Sequence, residues 1–118
     1  MLCTIAETHE YSQRVLRLLS NDEADEIIDF LSINPLAGVL LQGTGGLIKL
    51  RWSRNNKGKS TGVRVIYYFH NEHVPLYLLT IFSKNEKVNL SKRERNELTI
   101  LVKLIKKQLT GNNYERGI

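Results

Sequence analysis

The chain interleaves Lys49, Arg51, Lys57, Lys59, Arg64, Lys84 and Lys87 with Trp52, Tyr67, Tyr68 and Phe82. Cations grip phosphates, and aromatic rings stack on bases, so residues of these two kinds in alternation point to a nucleic-acid strand, beside the blander reading of a solvated basic surface with core aromatics. Arg51, Lys57, Lys59, Phe82 and Lys87 are the candidates for binding such a strand, and Lys49 and Arg51 share one face of an extended segment because side chains alternate with period two. Any chemistry on a phosphodiester needs a base for the attacking hydroxyl, cations for the charge developing on the phosphoryl oxygens, and an acid for the leaving oxygen. Basic side chains supply the second role directly.

The charge distribution supports the same target class. The formal charge of the chain is +5, but residues 1–33 hold two basic side chains, Arg14 and Arg17, against seven acidic ones. Residues 34–118 hold 15 basic against five acidic side chains, and no acid stands between Asp29 and Glu72. A field of that sign draws polyanions by steering and counterion release, and it leaves the acidic N-terminal part to face away or to meet another partner.

Other chemistries lack their residues. The lone Cys3 has no partner for a disulfide or a thiolate metal site, and its expected place is a buried position in a first strand. His9, His70 and His73 lack metal-ligand spacing, and no metal or cofactor is expected; His70 and His73 flank a turn. Gly43-Thr44-Gly45-Gly46 lacks the closing Lys-Ser or Lys-Thr of a phosphate-binding loop and reads as a positive-φ turn leading into a strand. With no run of about 18 apolar residues and no signal-peptide pattern at Met1-Leu2-Cys3, a cytoplasmic protein without membrane contact is expected.

The elements that must position these residues follow from periodicity. The 118 residues fit a single domain over 1–118. A short strand is expected at 2–6, then a helix over 9–19 on which Tyr11, Val15, Leu18 and Leu19 recur at helical spacing. Ser20-Asn21-Asp22-Glu23 supplies N-cap candidates for a second helix with Ala24, Ile27, Ile28 and Leu31 on one face, and Asn34-Pro35 ends it. Strands rich in β-branched and aromatic residues follow at 47–52, 62–70 and 76–82, as an antiparallel meander whose first link, 53–61, is a basic loop. Ser91 and Glu94 have capping-box spacing, and Leu98, Leu101, Val102, Ile105 and Leu109 carry a long helix to Gly111, leaving 112–118 as a flexible tail. The expected fold is α+β: a small, mainly antiparallel sheet with two N-terminal helices and a C-terminal helix, the helices on one face and the other face open.

Three ordered motifs then carry a family resemblance: Gly43-Thr44-Gly45-Gly46-Leu47-Ile48-Lys49-Leu50-Arg51, Gly62-Val63-Arg64-Val65-Ile66-Tyr67-Tyr68-Phe69, and Tyr77-Leu78-Leu79-Thr80-Ile81-Phe82-Ser83-Lys84-Asn85-Glu86. Together they resemble HigB-type members of the RelE/ParE toxin superfamily of type II toxin–antitoxin systems. The resemblance implies a RelE-like fold and an mRNA interferase that cuts translated messenger RNA on the ribosome. In such enzymes the 2′-hydroxyl attacks the adjacent phosphate, leaving a 2′,3′-cyclic phosphate and a 5′-hydroxyl, without a metal. It also implies a HigA-like antitoxin and operator DNA bound only by the toxin–antitoxin complex.

Carried over residue by residue, the resemblance makes Arg64 the arginine that stabilises the phosphate, Lys49 a lysine of the substrate face, and Lys84 the basic residue after the last strand. Lys57 and Lys59 match more loosely. The RelE pattern has an arginine and then a tyrosine where this chain has Asn85 and Val88 or Asn89, so the acid is sought among Tyr67, Tyr68 and Lys84. Strand alternation sends Tyr67 and Tyr68 to opposite faces, and at most one of them meets the substrate. Two other readings share the fold: a ParE-like inhibitor of DNA gyrase, and a non-catalytic domain that binds nucleic acid and antitoxin.

Overall fold

A computed structural model describes residues 2–53 and 62–117. The order of elements is β1 (Ile5–Glu7), α1 (His9–Leu18), α2 (Asn21–Ile33), β2 (Val39–Leu40), β3 (Ile48–Trp52), β4 (Val63–Tyr68), β5 (Leu76–Ser83) and α3 (Lys92–Gly117). The sheet has the order β1-β5-β4-β3-β2, with the pairs β2–β3, β3–β4 and β4–β5 antiparallel and β1 parallel to β5. The α+β class, the meander and both early helices match the sequence reading; the two-residue β2, too short to carry a periodic signal, is an addition.

Caps set the helix starts. Thr8 accepts from the Tyr11 amide ahead of α1, and Ser20 with Glu23 forms a reciprocal capping box ahead of α2. Ser91 and Glu94 do the same at the start of α3, the Ser91 amide donating to the Glu94 carboxylate at 2.8 Å and the Glu94 amide to Ser91 Oγ at 3.1 Å. α3 runs on to Gly117, past the expected end at Gly111, because one glycine costs a helix interior only about 1 kcal/mol.

The helices do not share one face. Tyr11, Val15 and Leu19 from the α1 segment and Ile27 and Leu31 from α2 pack on Ile48, Leu50, Val63, Val65, Tyr67, Leu78 and Ile81. Val102, with Leu98, Leu101 and Ile105 of α3, packs on Leu47, Ile66, Tyr68, Leu79 and Phe82, which alternate to the opposite side. The expectation of a fully open second face is therefore corrected: α3 covers part of it. The physical reason is β4, whose burial is complete on both sides, so its outward residues Ile66 and Tyr68 also demand a partner.

Candidate nucleic-acid interface

On the α3 side of the sheet, the ladder itself assembles the cations. Arg64 in β4 is the register partner of Arg51 in β3 and of Phe82 in β5, so these three stand in one row across three strands. One step along the same face, Lys49, Ile66 and Thr80 form the next row. Beyond β5, the Lys84 amide donates to the Gly62 carbonyl at 3.0 Å, which extends the ladder past the Arg64 row. Lys84 opens the turn that follows, next to the Ser83 that pairs with Val63. Lys49, Arg51 and Arg64 thus share one face of the sheet, and Lys84 stands in the turn that follows β5.

The electrostatics of this corner are unbalanced. Arg64 is only 8% exposed, and its guanidinium donates to a backbone carbonyl, that of Val63, at 3.3 Å. Among the described residues no carboxylate pairs with Lys49, Arg51, Arg64 or Lys84. Burial, and then the neighbouring Arg51 charge, push the Arg64 pKa below its usual value, although an arginine remains protonated at any physiological pH. Two like charges opposed across a ladder cost the fold on the order of 0.2–1 kcal/mol, and a buried cation without a counter-charge costs more. A bound anion would remove both penalties. A cavity of about 190 Å³ lies at the spot, lined by Arg51, Trp52, Ser53, Gly62 and Arg64.

Beside it runs a second cleft of about 390 Å³, lined by Leu41, Lys49, Asn89, Leu90 and Arg95. Lys49 Nζ donates to Asn89 Oδ1 at 3.2 Å, and the Arg95 guanidinium donates to the Gln42 carbonyl. Arg95 was legible only as a helix position, because nothing in its spacing shows that the first turn of α3 lands beside Lys49. Asn89 stands in an irregular link and carries no periodic signal.

Several expected site residues lie elsewhere. Tyr67 belongs to the α1–α2 face, fully buried, where its hydroxyl donates to the Pro35 carbonyl at 2.8 Å and accepts from the Gly38 amide at 3.2 Å. That role is structural and removes it from the Arg64 corner. Tyr68 is on the α3 side but four positions along β4 from Arg64, about 13 Å away. Its hydroxyl is hydrogen-bonded to His70 Nδ1 at 2.9 Å, and Lys106 Nζ lies 5.8 Å from its ring centre. Neither tyrosine is placed to give a proton at Arg64.

Phe82 is fully buried and cannot stack on a base; Lys87 stands 5.1 Å above its ring and is ion-paired to Glu94. Lys87 is thus a strut between the end of β5 and α3 instead of a free phosphate ligand. Lys57 and Lys59 lie outside the described residues. The glycine turn serves α3: Lys106 donates to the Gly45 carbonyl, and a Cβ on Gly46, at φ +131°, would stand 2.8 Å from the Tyr68 ring. Among the described residues no group of three or more histidine, cysteine or acidic side chains could hold a metal ion, and no helix is long and apolar enough to cross a membrane.

Comparison with known proteins finds a family match over residues that include this corner. The family model described as "RelE toxin of RelE / RelB toxin-antitoxin system" matches residues 40–113, a span that holds Lys49, Arg51, Arg64, Lys84, Asn89 and Arg95. Among solved structures, the E. coli toxin RelE, determined as a double arginine-to-alanine mutant in the free state, superposes with a TM-score of 0.56 at 15% identity. The match covers 75% of this chain and 90% of that one, a likeness of fold.

Proposed function

The chain belongs to the RelE toxin family, and from that premise we propose that it is a ribosome-dependent mRNA endoribonuclease, the toxin of a type II toxin–antitoxin pair. The observation that carries the reading is the buried, uncompensated Arg64, set in register with Arg51, with Lys49 one step along the same face. A site that holds a desolvated guanidinium without a carboxylate is built for an anion that arrives from outside, and RNA phosphate fits the family.

In this mechanism Arg64 and Arg51 hold the scissile phosphate and take up charge as the 2′-hydroxyl closes on phosphorus. The P–O5′ bond breaks, leaving a 2′,3′-cyclic phosphate and a 5′-hydroxyl. With Tyr67 and Tyr68 both engaged elsewhere, proton transfer falls to Lys49 and Lys84. One of them has to take the 2′-hydroxyl proton and the other to give a proton to the departing 5′ oxygen. The motifs at 43–51, 62–69 and 77–86 favour the HigB subtype, with a HigA-like antitoxin that blocks the cationic corner and operator DNA bound by the pair.

The test is primer extension on messenger RNA after brief induction of the chain, beside Arg64→Ala and Lys84→Ala. Cuts within translated codons that vanish in Arg64→Ala and are strongly reduced in Lys84→Ala are expected. Arrested growth with intact message would overturn the reading and favour a gyrase-directed, ParE-like toxin; RNA binding on ribosomes without cuts would favour a non-catalytic domain.

A further inference from the structure

The outer edge of β5 is only half covered by its parallel neighbour. β1 pairs Ile5, Ala6 and Glu7 with Leu76, Tyr77 and Leu78, and there it ends. Side chains from the cap and middle of α1 take over: Thr8 Oγ1 donates to the Leu79 carbonyl at 2.9 Å, and Arg14 Nε to the Ile81 carbonyl at 2.6 Å. The same guanidinium extends further, its Nη2 lying 3.0 Å from each carboxylate oxygen of Glu86.

Glu86 closes the turn that carries Lys84. Its carboxylate accepts from the Ser83 amide at 3.2 Å, and its own amide donates to Ser83 Oγ at 3.2 Å. On the other side the Lys84 amide is tied to Gly62 at 3.0 Å. Burial would raise the Glu86 pKa, but the Ser83 amide and the Arg14 guanidinium outweigh it and hold the carboxyl below its usual range. An isolated surface ion pair contributes about 0–1 kcal/mol. Arg14 differs because one planar group meets a strand-edge carbonyl and a carboxylate at once, which a lysine ammonium on a flexible stem cannot do with equal direction.

We propose that Arg14 is a positioning residue for the cleavage site: by clamping Ile81 and Glu86 it fixes the 83–86 turn, and so the direction in which Lys84 is offered to the RNA phosphate. The inference rests on the nuclease reading above. It draws into the site a residue of the acidic N-terminal segment, outside residues 40–113 that match the family model. It also gives α1 a task that packing alone does not require.

The experiment is single-turnover cleavage of a defined message on programmed ribosomes by the full chain and by Arg14→Lys and Arg14→Gln, each also in a Lys84→Ala background. Misplacing a catalytic group costs on the order of ten- to a hundredfold in rate. That loss is expected from either Arg14 substitution alone, at unchanged half-saturation by ribosomes, and less than about twofold in the Lys84→Ala background, since residues acting through one another are not additive. Hydrogen exchange at the Ser83 and Glu86 amides should quicken in Arg14→Gln while the melting temperature holds. Equal losses in both backgrounds, a wild-type rate in Arg14→Gln, or unchanged exchange would each overturn the proposal. Absence of cutting by the wild-type chain would sink the nuclease reading instead, and the exchange measurement would still decide whether Arg14 sets the turn.

Discussion

The two faces of β4 are equally buried and chemically unlike. Val63, Val65 and Tyr67 point to the α1–α2 side, where apolar side chains from both helices seal them and the one hydroxyl is satisfied twice. Arg64, Ile66 and Tyr68 point to the α3 side, where α3 covers Ile66 and Tyr68 but leaves Arg64 without a counter-charge. Burial on the first face is repaid by packing. On the second it is repaid only in part, and proteins keep such imbalance where a ligand completes the site.

The contrast is tested most sharply by one substitution on each side. Arg64→Ala should lower cleavage by about 10²–10³, the usual loss when a group that stabilises transition-state charge is removed, and leave the fold nearly as stable. Leu78→Ala, on the sealed face, should cost about 2–5 kcal/mol of unfolding free energy and leave the catalytic rate of the folded fraction unchanged. Chemical denaturation and single-turnover kinetics on both variants decide this. A large stability loss in Arg64→Ala would mean that the two faces differ less than their chemistry suggests.

The tyrosines give a smaller, matched pair. Tyr67→Phe leaves the Pro35 carbonyl and the Gly38 amide without their partner and should cost about 1–3 kcal/mol. Tyr68→Phe breaks a single bond to an exposed histidine and should cost at most about 1 kcal/mol, with cleavage retained in both variants. Loss of cleavage in Tyr68→Phe alone would return a proton-transfer role to that hydroxyl.

The smallest effect concerns the strut between the end of β5 and α3. The Lys87 ammonium and the Ser91 amide hold the Glu94 pKa down to about 2. A carboxyl depressed in the fold stabilises it at pH above its unfolded value, near 4.3, and that contribution is lost as pH falls from there through about 2. Unfolding free energy measured across that window should fall more steeply for the wild-type chain than for Glu94→Gln. Parallel curves would mean that the pair contributes nothing to stability.

What the chain's own order of residues determined is considerable. Periodicity and caps marked both early helices, the three long strands and the start of α3, because period two, period 3.6 and the Ser-x-x-Glu box are local properties. Strand alternation alone separated Tyr67 from Tyr68, and the cation-rich middle of the chain pointed to a polyanion. The tertiary structure decided the rest: that α3 covers part of the second face, that Phe82 is buried beneath Lys87, that Asn89 and Arg95 line a cleft beside Lys49, and that Arg14 reaches Glu86. Each of those depends on segments far apart in the chain meeting at one place. No local pattern records such a meeting, since it is chosen by the apolar surface that the whole sheet must bury.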